Sequence, residues 1–123
     1  MQNNNEKVKI DIKKRTYIFA LEIIKLIDSL NKKDFSIEII SKQLIRSATS
    51  IGANIIEAQA GSTKRDFVNY IQHSLKSANE TKFWLCLLRD SRAINIDKVL
   101  KENIELANIL AAIVISAKNK NKF

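Results

Sequence analysis

His73 and Cys86, the only histidine and the only cysteine, are the side chains best suited to nucleophilic or proton-relay chemistry in this sequence. On one helix they stand more than three turns apart, too far for a base to activate a nucleophile. A small helical ribonuclease would place Arg and His a few residues apart on one helix, and the spacing from Arg65 to His73 is too wide for that. Two carboxylates remain. Gln43, Arg46, Ser50, Asn54 and Glu57 recur at intervals of three and four, and so do Tyr70, His73, Ser77, Glu80 and Trp84. If these rows lie on antiparallel helices joined near Ser62, Asn54 comes level with Tyr70, and Arg46 with Ser77 and Glu80. A structural Arg46 to Glu80 ion pair then accounts for both charges better than carboxylate catalysis by Glu57 and Glu80, since removing one partner of a half-buried pair costs about 3 to 5 kcal/mol. Cys86 allows no intrachain disulfide and reads as inert packing. The sequence assigns no catalytic residue, no cofactor-binding residue and no metal ligand.

Such rows need long helices to position them. The chain has 123 residues, 46% of them hydrophobic and 28% charged, no proline, and only Gly52 and Gly61 as glycines, which suits one core and few turns. Its apolar residues recur at three and four rather than at two, so helix outranks strand despite the isoleucines. No charge-free stretch of about 18 residues exists to span a bilayer, and the segment from Met1 to Asp11 is polar without an apolar signal core. The expected location is the cytoplasm, with no membrane partner.

The predicted fold is all-α, an antiparallel up-down four-helix bundle over residues 12–118, with a flexible arm at 1–11 and a basic tail at 119–123. The first helix carries Tyr17, Ala20, Ile24, Ile27 and Leu30 as its inner stripe. Ser36 is the expected N-cap of the second, which turns Ile37, Ile40, Leu44, Ala48, Ile51, Ile55 and Ala58 inward, bends at Gly52 and ends on a left-handed Gly61. The third starts at Ser62 or Thr63 with Asp66 completing a cap, packs Phe67, Ile71, Ala78, Leu85 and Leu88, and ends by Asp90. Asn95 caps the fourth, with Ile96, Leu100, Ile104, Ala107, Leu110, Val114 and Ala117 as its stripe.

This topology gathers the chain start, the turn between the second and third helices, and the chain end at one pole. The 21 Lys and Arg against 13 Asp and Glu leave a net charge of +8, and Lys13, Lys14, Arg15, Lys64, Arg65, Lys118, Lys120 and Lys122 concentrate at that pole. They are the candidate nucleic-acid contacts, since clustered cations attract a polyanion. Ile45, Ile56, Phe83 and Trp84 lie off the core stripes and are the candidate oligomer interface, large apolar side chains outside a core being typical anchors of a subunit contact.

The run Gln43-Leu44-Ile45-Arg46-Ser47, followed by Thr49-Ser50-Ile51-Gly52-Ala53-Asn54-Ile55-Ile56-Glu57-Ala58, resembles the QLxRSxTSIGANxxEA signature of a bacterial four-helix-bundle family. The stretch from Ser62 to Phe67 resembles its S-x-x-D-F helix start. Glu80-Thr81-Lys82-Phe83-Trp84-Leu85 with Leu87-Leu88-Arg89-Asp90-Ser91 is similar to its ETxYWLxLLxxS segment, Phe83 standing where Tyr is commoner. Arg15-Thr16-Tyr17 with Phe19-Ala20 resembles its opening, and the likeness runs from about Lys13 to Lys118. The family includes proteins encoded in intervening sequences of 23S ribosomal RNA genes and is related to accessory variability proteins of diversity-generating retroelements. The resemblance implies a non-enzymatic, ring-shaped homopentamer with a basic surface and, in the retroelement relatives, a complex with reverse transcriptase and its RNA. The expectation is thus a basic homo-oligomeric scaffold that associates with nucleic acid, RNA ahead of DNA. Its rival is a protein-interaction module that serves a reverse transcriptase as an accessory subunit.

Overall fold

In the computed structural model four helices follow one another: α1 (Asn4–Asp28), α2 (Phe35–Ala60), α3 (Lys64–Arg92) and α4 (Asp97–Lys120). It describes the backbone of residues 4–120 and the side chains of residues 12–119. Among the described residues α1 packs on α2, α2 on α3, α3 on α4 and α4 on α1, without contact across either diagonal. This is an antiparallel bundle whose sides are four two-helix faces. The backbone is helical from Asn4, inside the segment expected to be an arm, and α4 runs two residues into the expected tail.

The helix ends show what the turn residues do. Asp34, rather than Ser36, is the N-cap of α2, its Oδ1 accepting from the backbone N–H groups of Ser36 at 3.1 Å and Ile37 at 3.5 Å. Thr63 caps α3 by accepting from the Asp66 N–H at 3.1 Å. Gly61 follows α2 in an extended conformation (φ −64°, ψ 142°), not the left-handed one expected. The left-handed residue is Ala93 at φ 54°, just after α3, which continues to Arg92 instead of ending by Asp90. Asn95 accepts from the Asp97 N–H at 3.1 Å and covers the start of α4.

The inner stripe of α2 is as expected, with Ser41 and Ser47 added to the buried set. Two stripes differ. On α1 the core takes Ile12, Thr16, Phe19, Ile23 and Ile27, while Tyr17 is 67% exposed and Ile24 also faces solvent. A helix with apolar residues on both sides offers two stripes, and the bundle selects the one that meets α2 and α4 together. On α4 the core takes Asn103 and Leu106 along with Ile96, Leu110 and Val114, and Ile104 is outside. Gly52 lies within an unbroken α2 and matters as a close approach: a Cβ built there would come within 3.2 Å of Thr16 Oγ1 on α1.

Buried polar groups fix the registers. The Ser47 and Thr81 hydroxyls hydrogen-bond across α2 and α3 at 2.9 Å, and Ser74 Oγ donates to the Ile51 carbonyl at 2.7 Å. Asn103 Nδ2 donates to the Ala78 carbonyl at 3.1 Å, tying α4 to α3. A helix that slid by one turn would bury Ser74 and Asn103 without these partners, at about 1 to 3 kcal/mol each, whereas Ser47 and Thr81 would keep bonds to the Leu44 and Ser77 carbonyls of their own helices.

Candidate functional site

Arg46 and Glu80 form an ion pair across the α2 and α3 seam, within a larger cluster than the spacing foretold. Gln43 Oε1 accepts from Arg46 Nε at 3.2 Å and Nη2 at 3.1 Å, and the Trp84 indole N–H donates to Glu80 Oε2 at 3.0 Å. The side chains of the pair are 57% and 37% exposed, so the pair is a surface one and not half-buried as expected. Screening by water lowers its worth to about 1 kcal/mol or less. Trp84 is also less free than expected: its N–H is taken and its ring meets Phe83 edge-on at 4.9 Å. Its place in the i, i+4 row with Glu80 was the signal that could have linked it to the pair.

The apolar candidates lie on two faces. Ile45 and Ile56 border the outer side of the α1 and α2 seam, beside the second stripe of α1, Tyr17, Leu21 and Ile24. Phe83, 59% exposed, stands with Leu87 on α3. Sequence reasoning missed the α1 stripe because it places Tyr17 and Ile24 in the core and gives Leu21 no role.

The two poles differ in how their cations are held. At the pole where α2 ends and α3 begins, Lys13, Lys14, Lys64, Arg65 and Lys118 are exposed, and among the described residues no carboxylate pairs with them. Arg15 departs from the expectation. Its guanidinium bonds Glu102 at 2.6 and 3.1 Å and Glu105 at 2.8 Å, so it clamps α1 to α4 and is not open to phosphate. The side chain of Lys120 and the whole of Lys122 lie outside the described residues. At the far pole the arginines are neutralised: Arg92 bonds both Asp34 oxygens at 2.9 and 3.3 Å, and Arg89 bonds Asp90 at 2.8 Å. The hydrogen bond from Arg92 holds Asp34 below the usual carboxylate range, and that from Arg89 does the same for Asp90.

His73 is exposed and contacts Tyr70 edge-on at 6.3 Å, and among the described residues no group of three His, Cys, Asp or Glu side chains could hold a metal. A shallow groove between α1 and α4 is lined by Ile18, Phe19 and Val99 with Glu22, Glu102 and Glu105, two of whose carboxylates serve Arg15. No helix of the described residues is long and apolar enough to cross a membrane.

The fold and its charge define a class: an all-α four-helix bundle with one open basic pole, a second pole whose arginines are paired, and two apolar outer faces. Residues 8–115 match the family model described as 23S rRNA-intervening sequence protein, and the chain belongs to that family. Among solved structures it is similar to a protein of unknown function from the S23 ribosomal protein family of Bacteroides thetaiotaomicron VPI-5482. That likeness has 36% identity and a TM-score of 0.77, covering 84% of this chain and 97% of the other. No curated protein of assigned function matches it.

Proposed function

We propose that the protein is a non-catalytic, homo-oligomeric scaffold that associates with RNA in the cytoplasm through its basic pole. The observation that carries this is the contrast between the poles. Lys13, Lys14, Lys64, Arg65 and Lys118 stand exposed without carboxylate partners among the described residues, whereas at the other end Arg89 and Arg92 are paired and Lys32, Lys33 and Lys98 are the cations left without one. Unpaired cations release counterions when they meet phosphate, and paired ones must first give up a bond. The family's link to 23S ribosomal RNA genes makes a structured RNA the first ligand to consider. Self-association rests on the two apolar faces, which differ in composition and so suit a head-to-tail contact between copies better than a two-fold one. Five subunits is the number the family resemblance implies, and repeating the pole around a ring would add its contacts.

The test is RNA binding across a salt series. Affinity should fall steeply with salt, and reversing Lys14, Lys64 and Arg65 to Glu should abolish binding while helicity and oligomer mass stay unchanged. Reversing Lys32, Lys33, Arg89 and Arg92 should matter less. If both sets weaken binding equally, the pole is not the site and the general charge of +8 is enough. If wild type binds no RNA at low salt, the exposed Phe83 and Leu87 favour the other reading, in which a partner protein such as a reverse transcriptase covers them.

A further inference from the structure

Four of the six carboxylates of α3 and α4 are turned away from one face of the bundle, and the other two, Asp90 and Asp97, stand at its far-pole end. Asp66 lies in the first turn of α3 against Gly61, on the α2 side. Glu80 is held by Arg46 and Trp84, again toward α2. Asp90 pairs with Arg89 at the far pole, where Asp97 opens α4. Glu102 and Glu105 are turned to Arg15 on α1. The outward face of α3 and α4 between the poles therefore carries no carboxylate.

What it does carry has a pattern. Along α3, Arg65, Asn69, Gln72, Lys76, Asn79 and Phe83 follow one another at alternating steps of four and three, which keeps them on one side of the helix, and all but Gln72 are exposed. Lys82 flanks this row on the side of α4, and α4 adds exposed Asn108, while Lys101 lies toward the α1 and α4 groove that it helps to line. None of these lysines has an ion-pair partner among the described residues. Phe83, Ile104 and Ile115 are large apolar members of the face. The other three sides differ: α1 and α2 present isoleucine and leucine, α2 and α3 the Arg46 cluster, and α4 and α1 the Arg15 clamp with its glutamates.

From this we infer that the α3 and α4 face is a docking surface for a base-paired RNA stem, continuing the contact that begins at the basic pole. The inference rests on the RNA association proposed above and adds to it the surface and the form of the RNA. Lysines spaced along a helix match phosphates, and exposed amides donate and accept at once, as contacts with 2′-hydroxyls across a shallow minor groove require. From Arg65 to Lys82 the row spans roughly 25 Å at the helical rise, a length over which a duplex displays about fifteen negative charges. Single-strand binders stack bases on aromatic side chains; here Phe83 stands at the end of the row, already against Trp84.

The experiment compares Lys76→Glu with Lys82→Glu in one variant against Lys25→Glu with Lys42→Glu in another, which changes net charge equally on the α1 and α2 side. The probe is a fluorescent RNA hairpin titrated over a salt series. The first variant should bind at least about ten-fold more weakly than wild type with a log affinity to log salt slope shallower by about two, and the second should lose far less. Asn69→Ala with Asn79→Ala should narrow the preference for the hairpin over a DNA duplex of the same sequence without changing the slope. If the hairpin binds the first variant as it binds wild type, yet reversal of Lys14, Lys64 and Arg65 abolishes binding, the face is refuted and the pole stands. Equal losses in both lysine variants, or a single strand bound as tightly as the hairpin, also overturn the inference. No binding by wild type at low salt overturns both it and the reading beneath it.

Discussion

Arg46 on α2 meets Glu80 on α3 with more than a third of each side chain in solvent, while the next residue on each helix, Ser47 and Thr81, turns inward and the two hydrogen-bond at 2.9 Å with almost no exposure. The charged pair is the more conspicuous in the sequence, and the hydroxyl pair is the more consequential for the fold. A double-mutant cycle on Arg46 and Glu80 should return a coupling of about 0.2 to 1 kcal/mol. Thr81→Val, which removes the cross-helix bond while Ser47 keeps the Leu44 carbonyl, should cost about 0.5 to 1.5 kcal/mol in urea unfolding. A coupling of several kcal/mol between Arg46 and Glu80 would show that the pair is shielded from water after all.

Asp34 caps α2 and also binds Arg92 at the end of α3. Its folded pKa is lowered, first by the Arg92 hydrogen bond, so its stabilisation is complete above the unfolded aspartate value near 4 and fades as pH falls through the folded value. The stability gap between wild type and Asp34→Asn should be constant above about pH 5 and shrink below about pH 4. Denaturant melts from pH 3 to 7 check this, and a gap that grew on acidification would reverse the assigned sign.

Ala93 holds a left-handed conformation at φ 54°, which disfavours a side chain bearing a Cβ. Ala93→Gly relieves that strain at some cost in unfolded-chain entropy, so a net gain of about 0.5 to 1 kcal/mol is expected from thermal or urea unfolding. A loss would mean that Ala93 is not left-handed in solution.

Self-association should depend on both apolar faces. Light scattering at micromolar concentration should give a multiple of the 14.0 kDa chain mass, and Ile45→Glu and Phe83→Glu should each reduce it while circular dichroism stays helical. A wild-type mass near 14.0 kDa across that range refutes the assembly.

The sequence by itself determined the all-α class, four helices and their antiparallel order. Spacing of three and four, the absence of proline and short polar turns at Asn31 to Asp34, near Ser62 and near Asn95 are local signals, and helices respond to them locally. It also determined the level of Arg46 with Glu80, because a short turn fixes the pairing of antiparallel helices. Tertiary structure decided the rest. α1 offers two apolar stripes of similar strength, Ile12, Phe19, Ile23 and Ile27 or Tyr17, Leu21 and Ile24, and only the presence of both neighbouring helices selects the first. Arg15 reads as one more cation of a basic cluster until Glu102 and Glu105, far along the chain, are folded against it. The carboxylate-free face of α3 and α4 was equally hidden, since it depends on where six acidic side chains turn, and the partners that turn them lie on α1, on α2 and at the bundle's far end.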